Sequence, residues 1–352
     1  MKTSEPIEQK LLRGSRNPYF DYLRGISALL VLFFHWTTRY DMLFGHLGDY
    51  PIMVSRGSFA VLMFFLLSGY LSFRNIDKYQ PKQFAKNRFF RLYPTYWICM
   101  VITAIIILLF MPNESVSIKD FFLNLTMLQM YLGADYIDGA YWTLSCEVLF
   151  YCLIIVVLLL KKGRYSMHVI LGWFALQVFL LILPDTSLFI IVKKINRFMY
   201  FHCFMAGGVI AVLEKQRIKK EKDSNTLLSN IILCIALFFF VSQQFIDHEI
   251  DSGIFMAISV FLLCISIAIN SKLGGAESLI HRILSPLSWI ASISYPLYLL
   301  HQNIGYVIIN KMEAFGLVGE IYLILPFATI LIAAWLVHKF IEQPFSVIGS
   351  KH

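Results

Sequence analysis

Charge is scarce in this chain. Only 15% of its 352 residues are Asp, Glu, Lys or Arg, against about a quarter in an ordinary soluble domain. With 58% hydrophobic residues and a mean hydropathy of +0.67, a water-soluble fold is excluded. Cysteine is sparse as well. Cys99, Cys146, Cys152, Cys203, Cys234 and Cys264 all fall in apolar stretches and none makes a CxxC, so neither disulfides nor a metal site is expected from them. The opening residues, MKTSEPIEQKLLRGSRNP, have no short apolar core and no small-residue cleavage site, so no removable signal peptide is expected. No GxSxG, HExxH, Walker or GxGxxG pattern occurs in a usable context.

What the chain does have is apolar windows of about 20 residues, the length that crosses a bilayer. They fall at 19–40, 56–73, 94–111, 140–160, 166–183, 195–213, 227–246, 252–270, 287–309 and 320–341. An eleventh apolar piece at 121–133 is too short to cross and is read as interfacial or re-entrant. The expected fold is therefore an all-α polytopic membrane protein with about ten transmembrane helices and both termini cytoplasmic. A tail at 1–18 and another at 346–352 flank a single membrane domain at 19–345. In that orientation 23 of the 30 Lys and Arg lie on the inner side and 7 on the outer, as the positive-inside rule requires. The net charge of +8 is accounted for in this way, and no nucleic-acid partner is read into it.

Against this background the ionisable residues inside apolar windows stand out, since each costs a few kcal/mol to insert and normally faces a polar cavity. Arg24 and His35 share the first window, and on a helix they would lie on one face roughly 16 Å apart. Arg24 can equally be an anchor snorkelling to the headgroups. His35 has no local partner in the sequence. Glu147, in YWTLSCEVLFY with Trp142 and Ser145, and His301, in ISYPLYLLHQ with Tyr295 and Tyr298, reach a similar outer-half depth by helical rise. That coincidence points to one shared cavity, with Pro296 as a kink in the ninth window. The stretch 74–93 carries six cations and one acid and reads as an inner-face loop. Within it Arg88 and Arg91 are three apart and offer two guanidinium forks to phosphate or to anionic lipid, and Pro94 suits the first turn of the next span. Ser68-Gly69 reads as close helix packing rather than a nucleophile.

Taken together, Arg24 and His35 separated by ten residues, FFLLSGY at 64–70, Arg88-Phe-Phe-Arg91 followed by Leu-Tyr-Pro, YWTLSCE at 141–147 and ISYPLYLLHQ at 293–302 resemble the acyltransferase 3 family of membrane O-acyltransferases. The five motifs keep the family's order over nearly the whole chain. The resemblance implies a multi-pass enzyme of the bacterial inner membrane. Such an enzyme moves an acyl group, most often acetyl, from cytoplasmic acyl-CoA to a hydroxyl of an outer-face or lipid-linked glycan. Carried over by motif, His35 is catalytic, Arg24 its companion, and Arg88 with Arg91 the donor-associated pair. His35 would act as general base on the acceptor hydroxyl or transiently carry the acyl group itself, and Glu147 or His301 would orient the imidazole or relay its proton. Many members append an SGNH-type hydrolase-like domain, and a stand-alone form is expected here. The expected partners are acyl-CoA, the glycan and membrane lipids, with no metal.

The rival class is a transporter or flippase for a lipid-linked glycan, which ten spans with buried ionisable residues would also suit. An inner-face arginine pair discriminates the two, because a donor-phosphate site has no purpose in a flippase.

Overall fold

The computed structural model describes residues 17–48, 52–111, 116–160, 166–183, 200–219, 224–247, 250–273 and 279–350. Most of the expected N-terminal tail, the KKGR connector, the segment holding Lys193, Lys194 and Arg197, and the last two residues lie outside them. Regular structure among the described residues is helical throughout. Helix α1 spans Pro18–Phe34, continues as a π-turn over His35–Arg39 and ends at Tyr40–Phe44. It is followed by α2 (Val61–Asn75), α3 (Pro81–Phe110), α4 (Ile118–Asn124), α5 (Gln129–Leu132), α6 (Trp142–Leu159) and α7 (Ser166–Ile182). Then come α8 (Phe201–Lys219), α9 (Ser224–Asp247), α10 (Ile250–Leu273), α11 (Leu279–Ser292), α12 (Ser294–Ala314), α13 (Ile324–Val337) and α14 (Gln343–Ser350). A second π-turn, His338–Glu342, joins α13 to α14.

Six helical stretches among the described residues are long and apolar enough to cross a membrane: Gly57–Lys78, Pro81–Phe110, Gly139–Leu159, Leu227–Ile246, Ile250–Asn270 and Ile324–Ser350. A seventh arises if α11 and α12, bent by 69°, count as one span. This is an α-helical polytopic membrane protein.

The chain divides into two compact units. The first comprises the chain up to Arg24, Leu62–Tyr79 and Val156–Ser288. Asn17 caps α1 by accepting the Tyr19 N–H at 3.0 Å, with Pro18 at the first helical position where a missing N–H does no harm. Helices α2 and α8 touch backbone to backbone. A Cβ built on Gly69 would fall 1.9 Å from the Phe204 carbonyl oxygen, and one on Gly207 would fall 2.0 Å from that of Leu66. The Ser68-Gly69 step is thus the small-residue packing that was expected. On the same helices, Glu214 meets the Tyr70 hydroxyl and Arg74, and Lys215 pairs with Asp77 at 2.8 Å.

The second unit holds Gly25–Val61, Gln80–Ile155 and Trp289–His352. Its axis is α3, 30 residues and about 45 Å long. Here the expected loop 74–93 is corrected. The residues from Pro81 onward are the first half of α3, Pro81 occupies the first turn, and Pro94 lies inside the helix. Packing explains the difference. The Phe90 ring stacks on Phe345 at 6.4 Å, Gln83 donates to the Gly349 carbonyl at 3.0 Å, and helix α14 thereby holds the basic half of α3 in the bundle. The short segment α4–α5 does not cross. Tyr93, Tyr96 and Trp97 of α3 donate to the carbonyls of Thr126, Asn124 and Leu125 and fasten it alongside. The kink expected at Pro296 in the ninth window is there. The 69° break falls at Ile293, in the turn before Pro296, where a proline ring crowds the carbonyl four residues back.

Candidate active site

The geometry around His35 begins with competition for backbone acceptors. His35 Nδ1 lies 2.8 Å from the Val31 carbonyl oxygen and Thr37 Oγ1 donates to that of Phe33 at 2.7 Å, each four residues back. Side chains that capture those oxygens loosen the α-helical ladder, and the chain answers with a π-turn, a form concentrated at functional sites. The turn is pinned from both sides. Fully buried Trp36 donates from Nε1 to the His301 carbonyl at 2.7 Å. Gly305 makes room for it, since a Cβ there would lie 2.1 Å from Trp36 Nε1. On the other side, His46 meets the Trp36 carbonyl at 3.1 Å and the buried Glu313 carboxylate at 2.7 Å.

This framework brings two imidazoles together. His301 Nε2 is 3.1 Å from His35 Nδ1, with ring centroids 4.8 Å apart and planes at 79°. The hydrogen bonds assign the protons. The Tyr298 carbonyl, 2.7 Å from His301 Nδ1, can only accept, so that nitrogen carries the proton of a neutral ring and His301 Nε2 presents a lone pair. His35 Nδ1–H donates into the gap between that lone pair and the Val31 carbonyl. The lone pair of His35 is therefore on Nε2, which has no hydrogen-bond partner among the described residues.

His35 opens into a cavity of about 280 Å³, walled by Val31, Phe34, Val61, Gly139, Ala140 and Trp142 and edged by Arg39, Ser58, Thr143, Tyr298 and Gln302. Tyr298 and Thr143 hydroxyls are 2.8 Å apart, and Tyr298 also donates to the Ala140 carbonyl at 2.7 Å. The floor is clamped by Asp138, whose two oxygens accept the N–H groups of Ala140 at 2.9 Å and Asn303 at 3.1 Å. Burial pushes the Asp138 carboxyl up to about 7, against the pull of those two N–H groups.

Of the residues expected from sequence, His35, Trp142 and Tyr298 line this cavity, and His301 touches His35 from behind. Ser145 instead donates to the Met127 carbonyl at 2.7 Å, steadying a residue held at φ 58°. Tyr295 donates to the Leu92 carbonyl at 3.0 Å. Of the three residues expected to share one cavity, His35 alone lines it, His301 reaches it only through its contact with His35, and Glu147 accepts from Tyr151. Helical rise gives depth but not surroundings. Thr143, Glu147 and Tyr151 recur every four residues down one face of α6, so Glu147 lies about 6 Å further along than the cavity's Thr143. There the guanidinium of Arg88 lies 4.5 Å from the Tyr151 ring centroid and 4.9 Å from that of Phe84. Solvent-accessible Arg91 has Tyr151, Glu147, Glu342 and Tyr295 as its electrostatic neighbours. Arg24 is half-buried on α1 in the first unit. Arg39, Asp138, Thr143 and Gln302 escaped the sequence reading. Arg39 was legible from its position four residues after His35, and Asp138 from the Asp-Gly step before a helix.

Fold and site together define a polytopic membrane protein with a histidine presented to an internal cleft. A family model described as an acyltransferase domain matches residues 17–338, and the chain belongs to that acyltransferase 3 family. Neither a curated protein nor a solved structure matches it.

Proposed function

We propose that this protein transfers an acyl group, in the first instance acetyl, from cytoplasmic acyl-CoA to a hydroxyl of an extracytoplasmic or lipid-linked glycan. In this reading it is an O-acyltransferase of the bacterial inner membrane, crossing about ten times with both termini inside. The observation that carries the reading is the His35–His301 pair, which leaves the His35 Nε2 lone pair facing the cavity. His35 Nε2 takes the proton of the acceptor hydroxyl as its oxygen attacks the thioester carbonyl. The C–S bond then breaks and CoA leaves as the thiol, taking back the proton. His301 is a positioning residue. Its lone pair holds Nδ1–H of His35 while Nε2 works, and it shares the charge of the imidazolium that forms. At about 280 Å³ the cavity is at the small end for ligand sites and suits a sugar ring edge and a short acyl chain rather than a nucleotide. The nucleotide end of the donor is assigned to Arg88 and Arg91, and the acyl arm to the polar stripe Tyr151–Glu147–Thr143.

The test is mass spectrometry of surface glycans from cells lacking the gene and complemented with each variant. Wild type should add the mass of one acyl group, and His35→Ala, at matched membrane abundance, should lower acylation by roughly 10²- to 10⁴-fold. Near-normal acylation in that variant would remove His35 from the chemistry.

A further inference from the structure

Among the residues lining the cavity, Arg39 is the only permanent charge, and no Asp or Glu lies in the wall. Its side chain is exposed, and among the described residues it makes no ion pair. Its electrostatic neighbours are the His35 imidazole and the Tyr306 phenol. Arg39 closes the π-turn that His35 opens and so lies on the side of the helix that presents His35. Arg39 also runs against the charge pattern of the chain, which keeps 23 of 30 cations on the side assigned as inner. A cleft walled by apolar side chains and carrying one uncompensated cation focuses a positive potential and concentrates anions.

Resting on the acceptor-site reading above, we infer that Arg39 selects an anionic sugar, one whose carboxylate or phosphate lies about a ring's width from the hydroxyl that His35 deprotonates. The guanidinium fork grips such a group in two-point fashion and so turns one hydroxyl toward Nε2. Ser58 and Gln302 at the same wall offer neutral hydrogen bonds to the rest of the ring.

The experiment is thermal unfolding of the purified full chain in detergent, titrated with D-glucuronate, D-glucose 6-phosphate and D-glucose. At least one anionic sugar should raise Tm at concentrations where glucose does little, and comparing the two separates carboxylate from phosphate. Arg39→Gln should weaken the anionic sugar by roughly tenfold or more, the loss of one charge-assisted contact, and Arg39→Lys should restore part of it. Equal responses to glucose and to the anions, or an anion response that survives Arg39→Gln, would overturn the inference. The wild-type protein separates the two readings. Selective binding of an anionic sugar by a chain that adds no acyl group to any glycan would sink the reaction and leave the charge selection standing.

Discussion

His301→Leu is the sharpest perturbation of the site, because it removes one nitrogen lone pair, puts no other acceptor there and leaves His35 in place. The variant loses the acceptor 3.1 Å from His35 Nδ1, while the Val31 carbonyl at 2.8 Å still holds that N–H. His35 therefore keeps its tautomer most of the time but loses the partner that shares the imidazolium charge. A hydrogen bond to a charged group contributes about 1.5–3 kcal/mol. At about 1.4 kcal/mol per decade, kcat should fall by roughly 10- to 150-fold. That is shallower than the loss expected for His35→Ala, and KM for the acceptor should hardly move, since the contact strengthens only as charge develops. The assay is the initial rate of acyl transfer in membranes at saturating acyl-CoA, across pH, with variant abundance matched. An unchanged kcat and pH profile would refute the pair mechanism. So would a loss as deep as that of His35→Ala, because His301 would then be doing the chemistry itself.

Arg88→Gln and Arg91→Gln should each raise the apparent KM for acyl-CoA more than they lower kcat, with Lys a partial rescue. Arg91→Gln should also lower Tm more than Arg88→Gln, since it strips the cation from beside Glu147 and Glu342, whereas Arg88 gives up ring contacts. Gly207→Ala, whose Cβ would meet the Leu66 carbonyl oxygen at 2.0 Å, should force α2 and α8 apart and cost about 1–3 kcal/mol, read as a lower Tm in detergent with histidine chemistry untouched in the protein that survives. A wild-type Tm in that variant would contradict the close approach.

The helical class, the non-crossing piece at 121–133, the Ser68-Gly69 contact and the meeting of His35 with His301 were all legible in the sequence. They depend on quantities a sequence carries directly: apolar length, residue size and depth along a helix. What failed depended on neighbours. Six cations in 74–93 looked like an inner-face loop, yet Phe90 and Gln83 dock that stretch on α14 and extend the helix back to Pro81. One proline misled. A proline is equally content in a first turn or within a span whose lost hydrogen bond is tolerated, so Pro94 could not by itself locate a helix end. Glu147 was placed beside His35 but lies one turn further along α6 than the cavity's Thr143. The π-turn was invisible because it arises from two side chains taking carbonyls away from the backbone, a competition no periodicity records.

That π-turn also holds slack in the length of the chain. It takes one residue more than an ordinary α-turn would. Deleting one between His35 and Arg39 would close the turn to an α-helix and leave Tyr40 and His46 facing Glu313, to which they are bonded at 3.2 and 2.7 Å. Inserting one has no such outlet and would turn everything beyond by about 100° relative to His35. The stretch from His35 to His46 can therefore lose a letter more easily than gain one.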